Sequence, residues 1–184
     1  MLKRPVLTAA LMVLALSAGV GAALADNESK ETIVTPVENV TIEARCPQLP
    51  AGVAPVTLQG TLRTTTEIEP ADDDAHGHEN AGALEVSVRA TATGTATDAL
   101  GNHYTFFYRN TVSGEAPGTG ILRDSFRLEG HGPAAGLFAS FKAKLTFGNV
   151  VGFDVLGAIT DFVVISEVGN PIDFTTFTPI CDPL

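Results

Sequence analysis

Apolar residues occupy every second position from Leu84 to Ala92, and polar residues fill the positions between them. Successive side chains of a β-strand point to opposite faces, so this alternation predicts a strand with one apolar and one wet side. A helix of period 3.6 would scatter the same residues around its surface. Gly94 then interrupts the run, which predicts a bulge or a bend in a long strand.

The alternation continues through the two segments that follow. Asp98 to Asn102 has the composition of a turn, and Gly101 within it can adopt positive φ. The strand after this turn places two Tyr and one Phe on one face, at positions 104, 106 and 108. In the third strand Asp124 stands in phase with the apolar residues, which are Leu122, Phe126 and Leu128. Positions 84–129 therefore predict three consecutive antiparallel strands.

Further segments with strand periodicity lie on both sides of this region. They are 39–45, 56–68, 137–147, 151–155 and 162–165, and Gly148-Asn149 has the composition of a hairpin turn. The connections are short, which favours antiparallel neighbours. We therefore predict an all-β fold: a single antiparallel meander domain of about eight strands, with a small closed barrel favoured over a sandwich.

The apolar member of each alternating pattern should lie in one shared interior, because a one-residue slip would expose a whole set. The predicted core is Leu84, Val86, Val88, Tyr104, Phe106, Leu122, Phe126, Leu128, Leu137, Phe141, Leu145, Phe153 and Phe162. The intervening basic residues should face water, namely Arg89, Arg109, Arg123, Arg127, Lys142 and Lys144.

The first 25 residues have the pattern of a secretory signal peptide. Lys3 and Arg4 precede an apolar run over 6–20, and an A-x-A cleavage site ends at Ala25. The run is short for a spanning helix, so we expect cleavage and export, with no integral membrane span afterwards. Residues 26–38 should then be a loose N-terminal arm and 39–184 the all-β domain.

The charge of the chain argues against nucleic acid as a partner. Lys3 and Arg4 account for two of its 11 Lys and Arg residues, so the exported chain would carry nine against 21 Asp and Glu, a net charge of −12. Such a chain repels phosphate backbones and anionic lipid. The expected partner is a small ligand or a surface protein.

Two cysteines, Cys46 and Cys181, lie near the two ends of the exported chain. An even cysteine count in an exported protein predicts a disulfide between them. Two separate buried thiols are the alternative.

An acidic segment at 67–79 is the candidate metal site. Asp72, Asp74, His76 and His78 could ligate a divalent ion, although the pattern fails as a calcium loop at Ala83, where a bidentate Glu is needed. The alternative is a solvated acidic loop without a cofactor.

Three arginines recur on the strands of the 84–129 region: Arg109, Arg123 and Arg127. If their face lines a cavity, they could hold an anionic ligand, and the alternative is cross-strand ion pairing on a wet face.

The chain carries no G-x-S-x-G, H-E-x-x-H, P-loop or dinucleotide motif, which lowers the prospect of an enzyme without removing it. We therefore expect a non-enzymatic exported module that binds a small ligand or a surface partner. The alternatives are a cyclase- or isomerase-like barrel enzyme acting on a small apolar substrate, and a metal-binding protein.

Overall fold

The computed structural model describes residues 29–42, 49–71 and 83–168, together with two short strands near the C-terminus. Seven long strands run through this part of the chain. They are β1 (Ser29–Ile42), β2 (Val56–Pro70), β3 (Leu84–Thr97), β4 (His103–Ala116), β5 (Gly118–Gly130), β6 (Phe138–Phe147) and β7 (Ile159–Val168). The short strands β8 (Ile172–Asp173) and β9 (Thr178–Pro179) pair with each other. No helix in the described ranges is long and apolar enough to cross a membrane.

The seven long strands form one antiparallel sheet in sequence order, which confirms the all-β meander. The predicted closed barrel is not supported, because the sheet ends at β1 on one side and at β7 on the other. The strand count supplies a physical reason. In a meander of seven strands the first and last run in the same direction, so those two edges cannot complete an antiparallel barrel by pairing with each other.

Glycines oppose each other on neighbouring strands at two places in the sheet. Gly60 lies opposite Gly94, and Gly114 lies opposite Gly120. A Cβ atom at Gly94 would overlap the carbonyl oxygen of Gln59. The pairing register continues through Gly94 without a shift, so this residue marks a close approach of two backbones and not the bulge that the sequence also allowed. Such glycine positions let a long sheet coil strongly.

The sheet buries one face, and the burial confirms the alternation inferred from sequence. Phe106, Phe126 and Leu128 are at most 1% exposed, while Arg89, Arg109, Arg123 and Arg127 on the other face are exposed. The interior is divided, however, into two apolar clusters and not the single core that we expected. One cluster contains Phe106 and Phe126, and the other contains Leu122 and Leu145.

Three regions differ from the sequence predictions. β1 begins at Ser29, inside the arm expected at 26–38, because its backbone pairs with β2 although most of its side chains are exposed. The strand expected at 151–155 is a series of turns, in which Gly152 has φ 60° and Asp154 Oδ1 accepts a hydrogen bond from the Gly157 N–H. Phe162, expected in the core, is 53% exposed because it lies on the edge strand β7.

The turn between β3 and β4 forms at Asp98–Asn102 as predicted, and a buried carboxylate organises it. Asp98 Oδ1 accepts hydrogen bonds from the N–H groups of Leu100 and Asn102, both at 2.9 Å. The Tyr104 hydroxyl donates to Asp98 Oδ2 at 2.7 Å and accepts from the Ala134 N–H at 3.3 Å. Burial alone would raise the pKa of Asp98, but the hydrogen bonds from Asn102, Tyr104 and Leu100 outweigh it and lower the pKa below its usual range.

Tyr104→Phe should lower the free energy of unfolding by roughly 1–3 kcal/mol, because it leaves Asp98 Oδ2 and the Ala134 N–H each short of one partner. Urea denaturation at neutral pH measures this loss. Thr105→Ala, on the exposed side of the same strand, is the control and should change stability by less than about 0.5 kcal/mol. Equal stability of the Tyr104→Phe and wild-type proteins would contradict this role of the hydroxyl.

Candidate functional site

Positive and negative side chains are separated along the outer face of the sheet. The basic residues of β2 to β6 on this face lie inside the strands, as Arg63, Arg89, Arg109, Arg123, Arg127, Lys142 and Lys144. The acidic residues of β2 to β5 on this face occupy the strand ends, as Glu67, Glu69, Glu85, Glu115 and Glu129. The outer face therefore carries a cationic centre on a chain whose overall charge is negative.

A groove of about 500 Å³ crosses this cationic centre over β4, β5, β6 and β7. Arg109, Arg123 and Lys142 line it together with Asp124, Phe141 and four residues that carry hydroxyl groups. The hydroxyl residues are Thr111, Ser125, Ser140 and Ser166. The pairing register explains this convergence, because Arg109 lies opposite Ser125 and Arg123 lies opposite both Thr111 and Lys142.

The direct opposition of Arg123 and Lys142 is electrostatically unfavourable, since like charges on facing strand positions repel. Ion pairs between described residues form at Lys30 with Glu67 and at Arg127 with Glu129, but not at Arg109, Arg123 or Lys142. Cross-strand ion pairing, the alternative left open by the sequence, thus does not account for these three groove cations within the described chain.

Arg127 lies outside the groove that holds the other two predicted arginines. Its guanidinium carbon is 4.6 Å from the centre of the Phe107 ring, and its Nη1 atom is 3.3 Å from Glu129 Oε1. The Arg127 guanidinium therefore already makes a cation–π interaction with Phe107 and an exposed ion pair with Glu129. The structure therefore brings Arg109 and Arg123 together and adds Lys142, which the sequence analysis did not include in the candidate site.

The inner face carries a buried polar pair between the two apolar clusters. Asn110 and Asp124 are 6% and 4% exposed and lie opposite each other on β4 and β5. Asn110 Nδ2 donates to Asp124 Oδ2 at 3.5 Å, while Asp124 Oδ1 is buried without a hydrogen-bond partner in the described structure. The sequence analysis did not name Asp124 as a candidate site residue. Its alternation with Leu122 and Phe126 nevertheless placed it on the buried face of the strand.

Burial raises the pKa of Asp124 to about 7, and hydrogen bonds from Tyr108 and Asn110 offset only part of this effect. The carboxyl group can therefore hold a proton at mildly acidic pH, where an exposed aspartate is ionised. A carboxyl with such a pKa is suited to proton transfer.

The predicted metal ligands Asp72, Asp74, His76 and His78 lie outside the described residues, as do Cys46 and Cys181. The metal site and the disulfide therefore stay predictions. Within the described ranges, no three His, Cys, Asp or Glu side chains are grouped to hold an ion.

Comparison of the chain with protein-family models, with curated proteins and with solved structures found no match. The functional argument therefore rests on the geometry of the two polar sites.

Proposed function

We propose that this protein is an exported, non-enzymatic module that binds a small anionic ligand in the groove lined by Arg109, Arg123 and Lys142. The observation that carries the proposal is the direct opposition of Arg123 and Lys142, neither of which forms an ion pair with another described residue, although Asp124 also lines the groove. An anion seated between them would turn a repulsive pair into two attractive contacts.

The groove favours a ligand with a carboxylate or a phosphate group. The two guanidinium groups can each donate two parallel hydrogen bonds to such an oxyanion, and the Ser and Thr hydroxyls can satisfy its remaining oxygens. The net charge of −12 expected after signal cleavage repels a long polyanion, whereas a small anion experiences mainly the local positive potential. We therefore propose a small molecule as the ligand, with no role in nucleic-acid binding.

The test is calorimetric titration of the exported chain, residues 26–184, with citrate, inorganic phosphate and sulfate at low ionic strength. We expect at least one of these anions to bind with one-to-one stoichiometry. Arg123→Gln combined with Lys142→Gln should weaken that binding roughly 10- to 100-fold, because hydrogen bonds to charged groups contribute about 1.5–3 kcal/mol.

Lys144→Gln is the matched control, since Lys144 lies on the same strand and face as Lys142 but does not line the groove. This control should leave the affinity within about 3-fold of wild type, because an exposed charge that makes no direct contact with the anion contributes well under about 1 kcal/mol. Equal losses in the control and the double variant would mean that only net charge matters. Absence of binding by all three anions would contradict the proposal itself.

A second proposal is an enzyme acting on a small apolar substrate inside the fold. The observation that favours it is the buried pair of Asp124 and Asn110, because Asp124 can hold a proton and retains one free acceptor within the described structure. This proposal requires an interior that admits a small apolar molecule. Saturable uptake of an apolar dye by the folded protein, lost in Asp124→Leu, would favour the enzyme over the groove.

A further inference from the structure

The edge strand β7 exposes a run of large apolar side chains. Phe162, Val163, Val164, Ile165 and Val168 are each between 41% and 58% exposed. One edge of β7 pairs with β6, and its other edge is unpaired within the described chain. Contiguous apolar surface marks interaction sites, and an unpaired strand edge is a template for another strand.

The opposite edge of the sheet is protected against pairing. β1 carries Pro36, which lacks an N–H group, and a bulge between Val37 and Val40 that includes Asn39 at φ 55°. β7 contains neither Pro nor a basic residue. It has two bulges, but the stretch 161–164 between them pairs regularly with β6. β1 also exposes Ile33 and Val34, but Pro36 and the bulge interrupt its edge, so β7 presents the longer run of exposed apolar residues to a partner strand.

Strand direction identifies the partner. β7 of one copy joined to β1 of another would meet the protected edge and leave a further β7 free, so the association would continue without closing. Two β7 strands related by a two-fold axis are antiparallel, and their pairing uses both open edges at once. A second copy of this chain can therefore pair with the β7 edge and form a closed dimer, in which no β7 edge remains open to a further copy.

The charges on β7 and the regular stretch 161–164 limit the register of this pairing. With the two-fold axis at Val163, that residue opposes its own copy, Phe162 opposes Val164, and Asp161 opposes Ile165. With the axis moved to Val164, Asp161 would oppose Glu167, which is unfavourable for two carboxylates. The register centred on Val163 keeps the acidic side chains apart, places Phe162 opposite Val164, and has its axis inside the stretch 161–164 that pairs regularly with β6.

We propose that the protein is a dimer in which β7 pairs with β7 of a second copy about an axis at Val163. Ser166 on β7 lines the anion groove, which therefore reaches the strand that would form the interface. In this dimer the partner strand borders the open side of the groove. The significance of that position for anion binding rests on the proposed function, whereas the dimer proposal does not depend on it.

Sedimentation equilibrium of residues 26–184 tests the dimer. Wild-type protein should be dimeric at micromolar concentration, and Val163→Lys should raise the dissociation constant at least about 100-fold by opposing two like charges. The control Val151→Lys, at an 80% exposed site in the loop before β7, should remain dimeric. Circular dichroism should show that the Val163→Lys variant retains its β-sheet.

A cysteine substitution tests the register without weakening the strand. Val163→Cys should form an intersubunit disulfide on mild oxidation, because the two copies of this residue face each other, whereas Val168→Cys should not. A wild-type protein that is still monomeric at 100 µM would overturn the inference, since this is roughly 100-fold above the concentration at which the dimer is expected. An average mass that keeps rising with protein concentration would also overturn it, because it would show association that does not close. If the monomeric wild type still bound an anion, the inference would fail while the proposed function stood.

Discussion

Asp124→Asn should stabilise the protein by up to roughly 4 kcal/mol at pH 8 and have little effect near pH 4. The carboxyl group is 4% exposed, and its burial raises the pKa to about 7. The difference from the ordinary value of 3.8 is about three units, each equivalent to about 1.4 kcal/mol. An amide of the same shape removes the buried charge that forms as the pH rises.

The sign of the pH dependence follows from proton binding. Between pH 4 and pH 7 the folded protein holds a proton at Asp124 that the unfolded chain has already released, so this group's contribution to stability falls as pH rises. Above pH 7 the cost of the buried charge is constant. The lowered pKa of Asp98 acts in the opposite sense, because its stabilisation is lost only as the pH falls below the unfolded value.

Urea denaturation of both proteins from pH 4 to pH 8 measures the effect, and the difference between wild type and Asp124→Asn should grow across this range. Glu38→Gln is the control: this carboxylate is exposed on β1, and its removal should change stability by less than about 0.5 kcal/mol at every pH. A constant difference between wild type and Asp124→Asn would show that Asp124 ionises as an exposed aspartate does.

The sequence predicted the strands of the central sheet and the inward and outward faces of each strand, because both depend on local alternation. The inward set that includes Val86, Phe106 and Phe126 is buried, and the outward arginines are exposed. The turn at Asp98–Asn102 was likewise readable from its composition. Alternation also placed Asp124 on the apolar face, so the buried carboxylate could have been predicted as the one polar residue among Leu122, Phe126 and Leu128.

The extent of the sheet and the composition of the groove could not be predicted in this way, because they depend on which strands become neighbours. Period-two alternation places Phe162 on the inner face but does not reveal that β7 is an edge strand. The same limit applies to the groove, since the opposition of Arg123 and Lys142 arises from the register between β5 and β6. The turns at 151–158 override alternation at Val151 and Phe153 because Gly152 adopts a positive φ.

Phe126→Ala should lower the free energy of unfolding by about 3–5 kcal/mol, as expected for truncating a large aromatic residue in a packed core. Phe126 is 1% exposed and stacks on Phe106, with ring centres 6.2 Å apart and an angle of 22° between the rings. Lys144→Ala, on the exposed outer face, is the control and should cost less than about 1 kcal/mol. Denaturant unfolding at one fixed pH measures both changes.

The division of the interior into two clusters makes this prediction more specific. Phe106 and Phe126 belong to one cluster and Leu145 to the other, with the pair of Asn110 and Asp124 between them. Truncating Phe126 and Leu145 together should therefore cost the sum of the single losses within about 0.5 kcal/mol, whereas truncating Phe126 and Phe106 together should deviate from additivity by about 0.5–1.5 kcal/mol. A mild loss at Phe126 with saturable dye uptake would instead indicate a hollow interior. That outcome would favour a protein that binds a small ligand in its interior, which the enzyme proposal also requires, over a module that binds only at the outer-face groove.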